Sequence, residues 1–427
     1  MKTKLGARFW LSLTIFSLMG QIAWVVENMY FNVFIYKMFH ASAADISNMV
    51  AASAITATLT TVFMGALSDK IGKRKLLICS GYLLWGISIF SFIFLREDLI
   101  SKTLGMTVSA ATVGVSLTII LDCLMTFFGS TANDAAFNAW LTDSTDASNR
   151  GAAEGINAMM PLVSILVVFG GFMFFDLEQA ASWSVIFTII GVLVTVVGIL
   201  GFFIIKEPPV TPINEPYIQG ILYGFRPKTV KEHGRLYLAL AAYVLFNISI
   251  QIFMPYLIIY YEVSLGMKDY VLIMAPAIIV ASAVTALWGR VYDKKGFTFS
   301  GLAAIAALLV GYVVLYFTKT TLPVFIGSLL MMSGYLAGMA VFGAVIRDNT
   351  PIGKAGRLQG VRIFSQVLIP GVVGPAIGKK VLENAEVIVN SDGTTSFVPN
   401  ENIFLAAAIA LLLVLPFFLR KRKKETE

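Results

Sequence analysis

The stretch Gly65-Ala-Leu-Ser-Asp69-Lys-Ile-Gly72-Lys73-Arg74-Lys75 sets a charged turn between two runs too apolar for a soluble protein. It recurs in weaker form as Gly289-Arg-Val-Tyr-Asp293-Lys-Lys-Gly296. Asp69 and Asp293 stand 224 residues apart, and a second echo, Met29-Tyr-Phe-Asn-Val-Phe-Ile-Tyr36 against Met254-Pro-Tyr-Leu-Ile-Ile-Tyr-Tyr261, is offset by 225. A third pairs Asp143-Ser-Thr145, with Gly155 ten residues on, against Asp348-Asn-Thr350, with Gly360 ten residues on. The chain therefore reads as a tandem duplication. The turn has a mechanical logic: glycine lets helices approach and the chain reverse, aspartate caps a helix start, and Lys/Arg stay out of hydrocarbon.

Composition fixes the solvent. The 427 residues are 57% hydrophobic and only 13% charged, with a mean hydropathy of +0.80. Soluble domains carry roughly a quarter charged residues, so this is a polytopic membrane protein. The net charge of +7 sits in short basic clusters between apolar runs, not on one basic face, which argues against a nucleic-acid partner. Cys79 and Cys123 lie far apart in apolar runs without histidine neighbours, so neither a disulfide nor a metal site is indicated. An enzyme lacks its parts: there are two histidines, His40 and His233, both near expected loops, no nucleophile elbow and no phosphate loop, and no cofactor is expected. A channel lacks a filter segment or rings of charge.

At about 20 apolar residues per crossing, twelve spans are expected, near 9–36, 45–67, 76–95, 107–140, 153–175, 182–205, 236–261, 267–288, 299–318, 322–346, 358–381 and 402–419. The first apolar run is too long for a signal-peptide core and is read as a retained span. Placing both termini in the cytoplasm puts 24 of the 32 Lys/Arg inside and seven outside, as the positive-inside rule requires. The halves are then 1–205 and 236–427, joined by a cytoplasmic linker, 206–235, that opens on a proline cluster and continues with a short amphipathic pattern. Residues 383–401, polar and without apolar period, form the longest outside loop and are expected to be mobile.

The inner turn resembles the loop between spans 2 and 3 of the major facilitator superfamily, roughly Gly-x-Leu-Ala-Asp-Arg-x-Gly-Arg-Lys/Arg. Gly65, Leu67, Asp69, Gly72, Lys73, Arg74 and Lys75 fit it, with Lys70 in place of the usual arginine. The resemblance implies two pseudo-symmetric six-helix halves related by an axis along the membrane normal. The end of span 4, Asn138-Ala-Trp-Leu-Thr-Asp143 with Arg150-Gly following, resembles the sucrose transporters and the wider glycoside/pentoside/hexuronide cation symporters. Those relatives imply cation-coupled uptake of a sugar or glycoside through the plasma or inner membrane. The departures bear on the ion. Melibiose-type members carry two aspartates one turn apart in span 2 as a sodium site, and a lysine midway along span 11. Here Ile46 to Leu67 holds no acid, Asp45 sits at the mouth, and span 11 reads Gln366-Val-Leu-Ile-Pro370-Gly371. A proton is therefore the expected coupling ion.

Polar groups at mid-depth cost on the order of 2.5–3.5 kcal/mol each on insertion scales and so mark function. On span 1, Gln21, Trp24, Asn28 and Asn32 fall within an arc of about 80° at 100° per residue, with Glu27 beside Trp24. Amides around an aromatic face suit a sugar, which has hydroxyls at its rim and C–H groups on its faces, although such amides also serve as interhelical glue. Span 4 carries Asp122, Thr126, Ser130, Asn133 and Phe137 on one arc, with Asp134 and Asn138 adjacent. The second half is plainer: Asn247, Gln251 and Tyr261 on span 7, a kink at Pro255-Tyr256, Tyr335 on span 10, and Arg362 near the inner end of span 11, either snorkelling or paired with a carboxylate. Expected substrate contacts are Gln21, Trp24, Asn28, Asn133, Asp134 and Gln251. The expected proton carriers are Glu27 and Asp134, with Asp122 in reserve, although Glu27 could equally form a permanent ion pair. The inner gate is expected from Gly65, Asp69, Gly72, Arg74, Asp143, Arg150, Asp293 and Asp348. An exporter of lipophilic compounds, or a non-transporting receptor of the same fold, would share this layout.

Overall fold

The computed structural model describes residues 5–104, 109–146, 149–207, 222–351, 355–390 and 393–419. Among them, ten helices are long and apolar enough to cross a membrane: Ala7–Phe39, Ala43–Ile71, Arg74–Phe94, Ala110–Asp143, Gly155–Phe172, Ala180–Ile204, Gly234–Ser264, Tyr270–Phe317, Thr321–Asn349 and Gly360–Val381. The 48 residues of Tyr270–Phe317 are twice what a hydrocarbon core of about 30 Å requires. The stretch is broken at Gly296 (φ 73°, ψ −179°) and so supplies spans 8 and 9. The apolar helix Asn402–Phe418 completes twelve.

The duplication is legible in the backbone. The first charged turn is closed by Gly72 at φ 68°, and Gly296, 224 residues later, takes φ 73°, a region that disfavours side chains. The two turns otherwise differ. Span 2 ends at Ile71 and span 3 starts at Arg74, whereas Asp293 lies within continuous helix, so the expected charged turn shrinks to one residue in the second half. Asp45 is explained locally: with Ser42 it forms a reciprocal capping box at the start of span 2. Within residues 383–401, Val387–Val389 pairs with Thr395–Phe397 as a hairpin. Asn390 Nδ2 donates to Thr394 Oγ1 and Ser396 Oγ at 2.9 Å each near its tip.

The contacts divide the chain into Met1–Leu222 with Val389–Ser396, and Tyr223–Ile388 with Phe397–Glu427. The residues 208–221 of the expected linker, and the basic tail from 420, lie outside the described residues. Each unit uses small residues to bring helix backbones together. In the first, a Cβ on Gly86 would stand 2.6 Å from the backbone N of Thr195, and one on Gly198 2.7 Å from that of Leu83, which locks span 3 to span 6. In the second, Gly311 and Gly334 play this part between spans 9 and 10, at 2.5 Å from Met331 N and 2.4 Å from Leu308 N. The first unit then fills with rings: Phe34 meets Trp183 and Phe187 at 5.1 Å each, and Phe31 meets Phe92 at 4.7 Å.

Candidate functional site

Span 1 does not keep an α-helical register through its polar stretch. Val26–Tyr30 is a π-helical turn, and a longer one, Ser130–Phe137, interrupts span 4. Such turns cluster at functional sites because they re-aim side chains without breaking the ladder. One consequence is that the 100° stripe dissolves. Asn32 is fully buried and Asn28 exposed, and their amides donate to the carbonyls of Asn28 (3.0 Å) and Trp24 (2.8 Å) on their own helix. Gln21 and Trp24 are half-buried.

The turn in span 1 delivers Glu27 to a meeting of three helices. Its Oε1 accepts from Ser53 Oγ of span 2 at 2.7 Å and from Thr126 Oγ1 of span 4 at 2.9 Å, and these two hydroxyls lie 3.1 Å apart. Asp122, one turn before Thr126, also has Ser53 as a hydrogen-bond neighbour. Glu27 is 5% exposed and Asp122 1%. Among the described residues no Lys or Arg pairs with either, so the expected alternative of a permanent ion pair at Glu27 finds no partner there. Ser53 gave no signal in the sequence, since a serine among alanines can satisfy itself on its own helix.

Asp134 and Asn133 sit on the π-helical turn of span 4. Asp134 Oδ2 accepts from Ser130 Oγ at 3.0 Å. Asn133, buried, has its Oδ1 3.0 Å from Tyr82 Oη, whose single hydrogen also faces Phe16 O at 2.8 Å. A Cβ on Gly20 would meet Asn133 Oδ1 at 2.5 Å, so the glycine is what lets span 1 lie over this network. Gly129 similarly seats the Trp24–Trp85 pair, whose centroids are 5.0 Å apart. The indole N–H of Trp85 has no hydrogen-bond acceptor, and that of Trp24 has the Asp134 carboxylate as its neighbour. The first unit thus gathers Trp24, Glu27, Asp122, Asn133 and Asp134 on spans 1 and 4. Gln251 belongs to the second unit, where a Cβ on Gly374 would stand 2.4 Å from its own Cβ.

At the other end of these helices, Arg74 is 3% exposed and satisfied on three sides. Its Nη2 reaches Asp69 Oδ1 at 2.6 Å, Nε reaches Asp143 Oδ2 at 2.9 Å and Nη1 reaches Ser68 Oγ at 2.6 Å. Glu207, which the sequence reading passed over as linker, caps span 3 by accepting from the backbone N–H of Arg74 (2.6 Å) and Lys75 (3.1 Å). Gly72 makes the reversal, whereas a Cβ on Gly65 would find nothing nearer than Ala135 at 4.0 Å, so no close approach depends on it. The side chain of Arg150 lies outside the described residues. In the second unit Asp348 accepts from Tyr292 Oη at 2.5 Å. The position 224 residues after Arg74 is Thr298, so nothing there can bridge Asp293 to Asp348 as Arg74 bridges Asp69 to Asp143. Arg362 is exposed and borders a small recess with Leu236, Leu240, Arg347 and Leu358.

Several solved structures of transporters share this arrangement of helices. A bacterial homologue of the human lysosomal transporter Spinster superposes with a TM-score of 0.70 at 14% identity, over 97% of each chain. The E. coli xylose transporter XylE gives 0.69 at 16% identity over 98% of this chain and 99% of its own. The nucleoside transporter NupG gives 0.67 at 13% identity over 96% and 99%. No curated protein matches by sequence at a significant level. The model of the Major Facilitator Superfamily matches residues 9–375, and the chain, with its duplicated inner turn and twelve helices, belongs to that superfamily.

Proposed function

We propose that this transporter carries a sugar or glycoside into the cell by proton symport, its site facing one side of the membrane at a time. Both termini lie in the cytoplasm of a plasma or inner membrane. The observation that carries the reading is Glu27: a carboxyl group nineteen-twentieths buried, held by two hydroxyls and by no base among the described residues, and close enough to Asp134 to feel its charge. Such a group can ride as a neutral acid and leave its charge in water. Trp24, Gln21, Asn28, Asn133 and Asp134 supply the ring-stacking and hydroxyl-binding chemistry that a pyranose needs. A D-xylose–proton symporter of the same fold is in keeping with this assignment.

Uptake of a panel of labelled sugars and glycosides into proteoliposomes under an imposed proton gradient tests the reading. Trp24→Ala should raise the half-saturating concentration roughly tenfold, as expected for the loss of one stacking contact of about 1–1.5 kcal/mol, while expression stays normal. Unchanged uptake kinetics would remove Trp24 from the site, and no accumulation of any panel member would remove the sugar assignment. A single cysteine at residue 390 should react with impermeant reagent from outside; labelling only from the cytoplasmic side would invert the topology.

A further inference from the structure

We propose that the hairpin before the last helix is a strap whose tip clasps His40, and that this clasp opens each time the site turns to the outside. Only transport by alternating access is assumed, not the sugar or the proton of the reading above. The strap is built locally. Val387–Val389 pairs with Thr395–Phe397, Val398 N–H extends the ladder to Glu386 O at 2.7 Å, and the turn closes with Asn390 N–H on Thr394 O at 2.8 Å and Gly393 at φ 83°. At the tip, Asn390 Nδ2 carries two hydrogens and faces three acceptors: Thr394 Oγ1, Ser396 Oγ and, at 3.1 Å, His40 Nδ1. With its hydrogen on Nε2, His40 accepts at Nδ1. Two hydrogens cannot serve three acceptors. Ser396, buried and with a hydroxyl hydrogen of its own, stands 3.5 Å from the same ring nitrogen, so both arms of the turn address His40.

His40 is a fixed post for this. It caps span 1 at φ 49°, the sole non-glycine residue at positive φ among the described residues, where glycine would sit without strain. One turn earlier Lys37, its side chain 3% exposed, pairs with Glu178 at 3.0 Å and ties the same end of span 1 to the segment before span 6. The course of the chain then makes the clasp a device. Residues Val389–Ser396 belong by their contacts to the first unit, whereas the chain up to Ile388 and from Phe397 belongs to the second. Alternating access moves one repeat against the other. A segment rooted in one and pinned to the other has to release or resist that movement, and hydrogen bonds at a half-buried tip are weak enough to break in every cycle. His40 stands at the end of span 1 away from the Arg74 bridge, which is the outer end on the topology proposed above, so the clasp resists opening outward.

Labelling of a Trp24→Cys reporter by a membrane-impermeant maleimide on intact cells, in a Cys79→Ser, Cys123→Ser background and without added sugar, tests this. The rate reads how often the site faces outward. His40→Gly, which suits the left-handed cap, and Asn390→Ala, which strips the tip of its amide, should each raise the rate roughly fivefold, the size of one lost hydrogen bond. Val387→Ala, on the exposed strand and outside the clasp, should leave it unchanged. Hydrogen exchange of the purified protein should quicken by a similar factor at Thr395–Phe397 in the two clasp variants alone. If Asn390→Ala does not fold, His40→Gly decides. Labelling that fails to rise in the clasp variants, whether the starting rate is measurable or nil, overturns the strap as a gate even where exchange quickens. A rise of the same size in Val387→Ala overturns the role of the clasp. Since neither sugar nor proton gradient enters, the result is independent of the uptake assay, which reports on the symport reading alone.

Discussion

Glu27→Gln is expected to abolish proton-driven accumulation, bringing the internal to external sugar ratio to one, while exchange of labelled for unlabelled sugar continues. Glutamine keeps the shape and still accepts from Ser53 and Thr126 through its carbonyl oxygen, so the meeting of spans 1, 2 and 4 survives. What it loses is the ability to change charge. On the proposed mechanism the charged acid opposes closure of the site, because carrying a carboxylate into hydrocarbon costs on the order of 2.5–3.5 kcal/mol. A proton removes that opposition, and sugar hydroxyls complete the hydrogen bonding that closure requires. The glutamine variant is permanently in the permitted state and equilibrates without a gradient. Asp134→Asn should behave likewise if Asp134 is the second carrier. Accumulation that persisted in both variants, measured in vesicles with an inward proton gradient, would place the proton elsewhere or make the protein a uniporter.

The layout was legible in the sequence for a physical reason: hydrocarbon imposes length on every span, and Lys and Arg must stay at the ends. The same glycine at the two inner turns, Gly72 and Gly296, shows how much of the duplication is written in residues whose backbone leaves no choice. Three things were hidden. The extension of span 8 as helix up to the break at Gly296 was masked because Arg290, Tyr292, Lys294 and Lys295 look like loop yet are tolerated on a helix emerging into the headgroups. The π-helical turns were invisible because each adds about a residue to its turn without a compositional mark, and the helical-wheel argument for span 1 beyond residue 26 inherits the error. Ser53 and Tyr82 were missed because each acts through a neighbour distant in sequence, Glu27 for one and Asn133 for the other, and no spacing rule connects them. Identifying the carboxylates needed only their rarity among apolar residues; identifying what holds them needed the fold.

Arg74→Ala is expected to slow influx, efflux and exchange together and to lower the Tm, because it removes a shared base rather than a coupling group. The guanidinium spends its three faces on Asp69, Asp143 and Ser68, and so ties the inner end of span 2 to that of span 4 through the first residue of span 3. Deleting one partner of a buried pair costs about 3–5 kcal/mol when the stranded charge stays dry. Asp69 is 42% exposed at its side chain and Asp143 27%, so water recovers part of this, and a loss nearer to 2 kcal/mol follows. Arg74→Lys should rescue little, since one ammonium cannot present the planar fork that three acceptors share. Asp69→Asn should be milder, because Asp143 keeps the arginine in place. The second unit offers an internal control. It has Thr298 at the matching position, so Asp293→Asn should alter Tm by less than half the change in Asp69→Asn. Equal effects of the two aspartate substitutions on Tm and on all three transport modes would mean that the inner turns act by sequence alone, and that the Arg74 bridge is not what makes the first of them a latch.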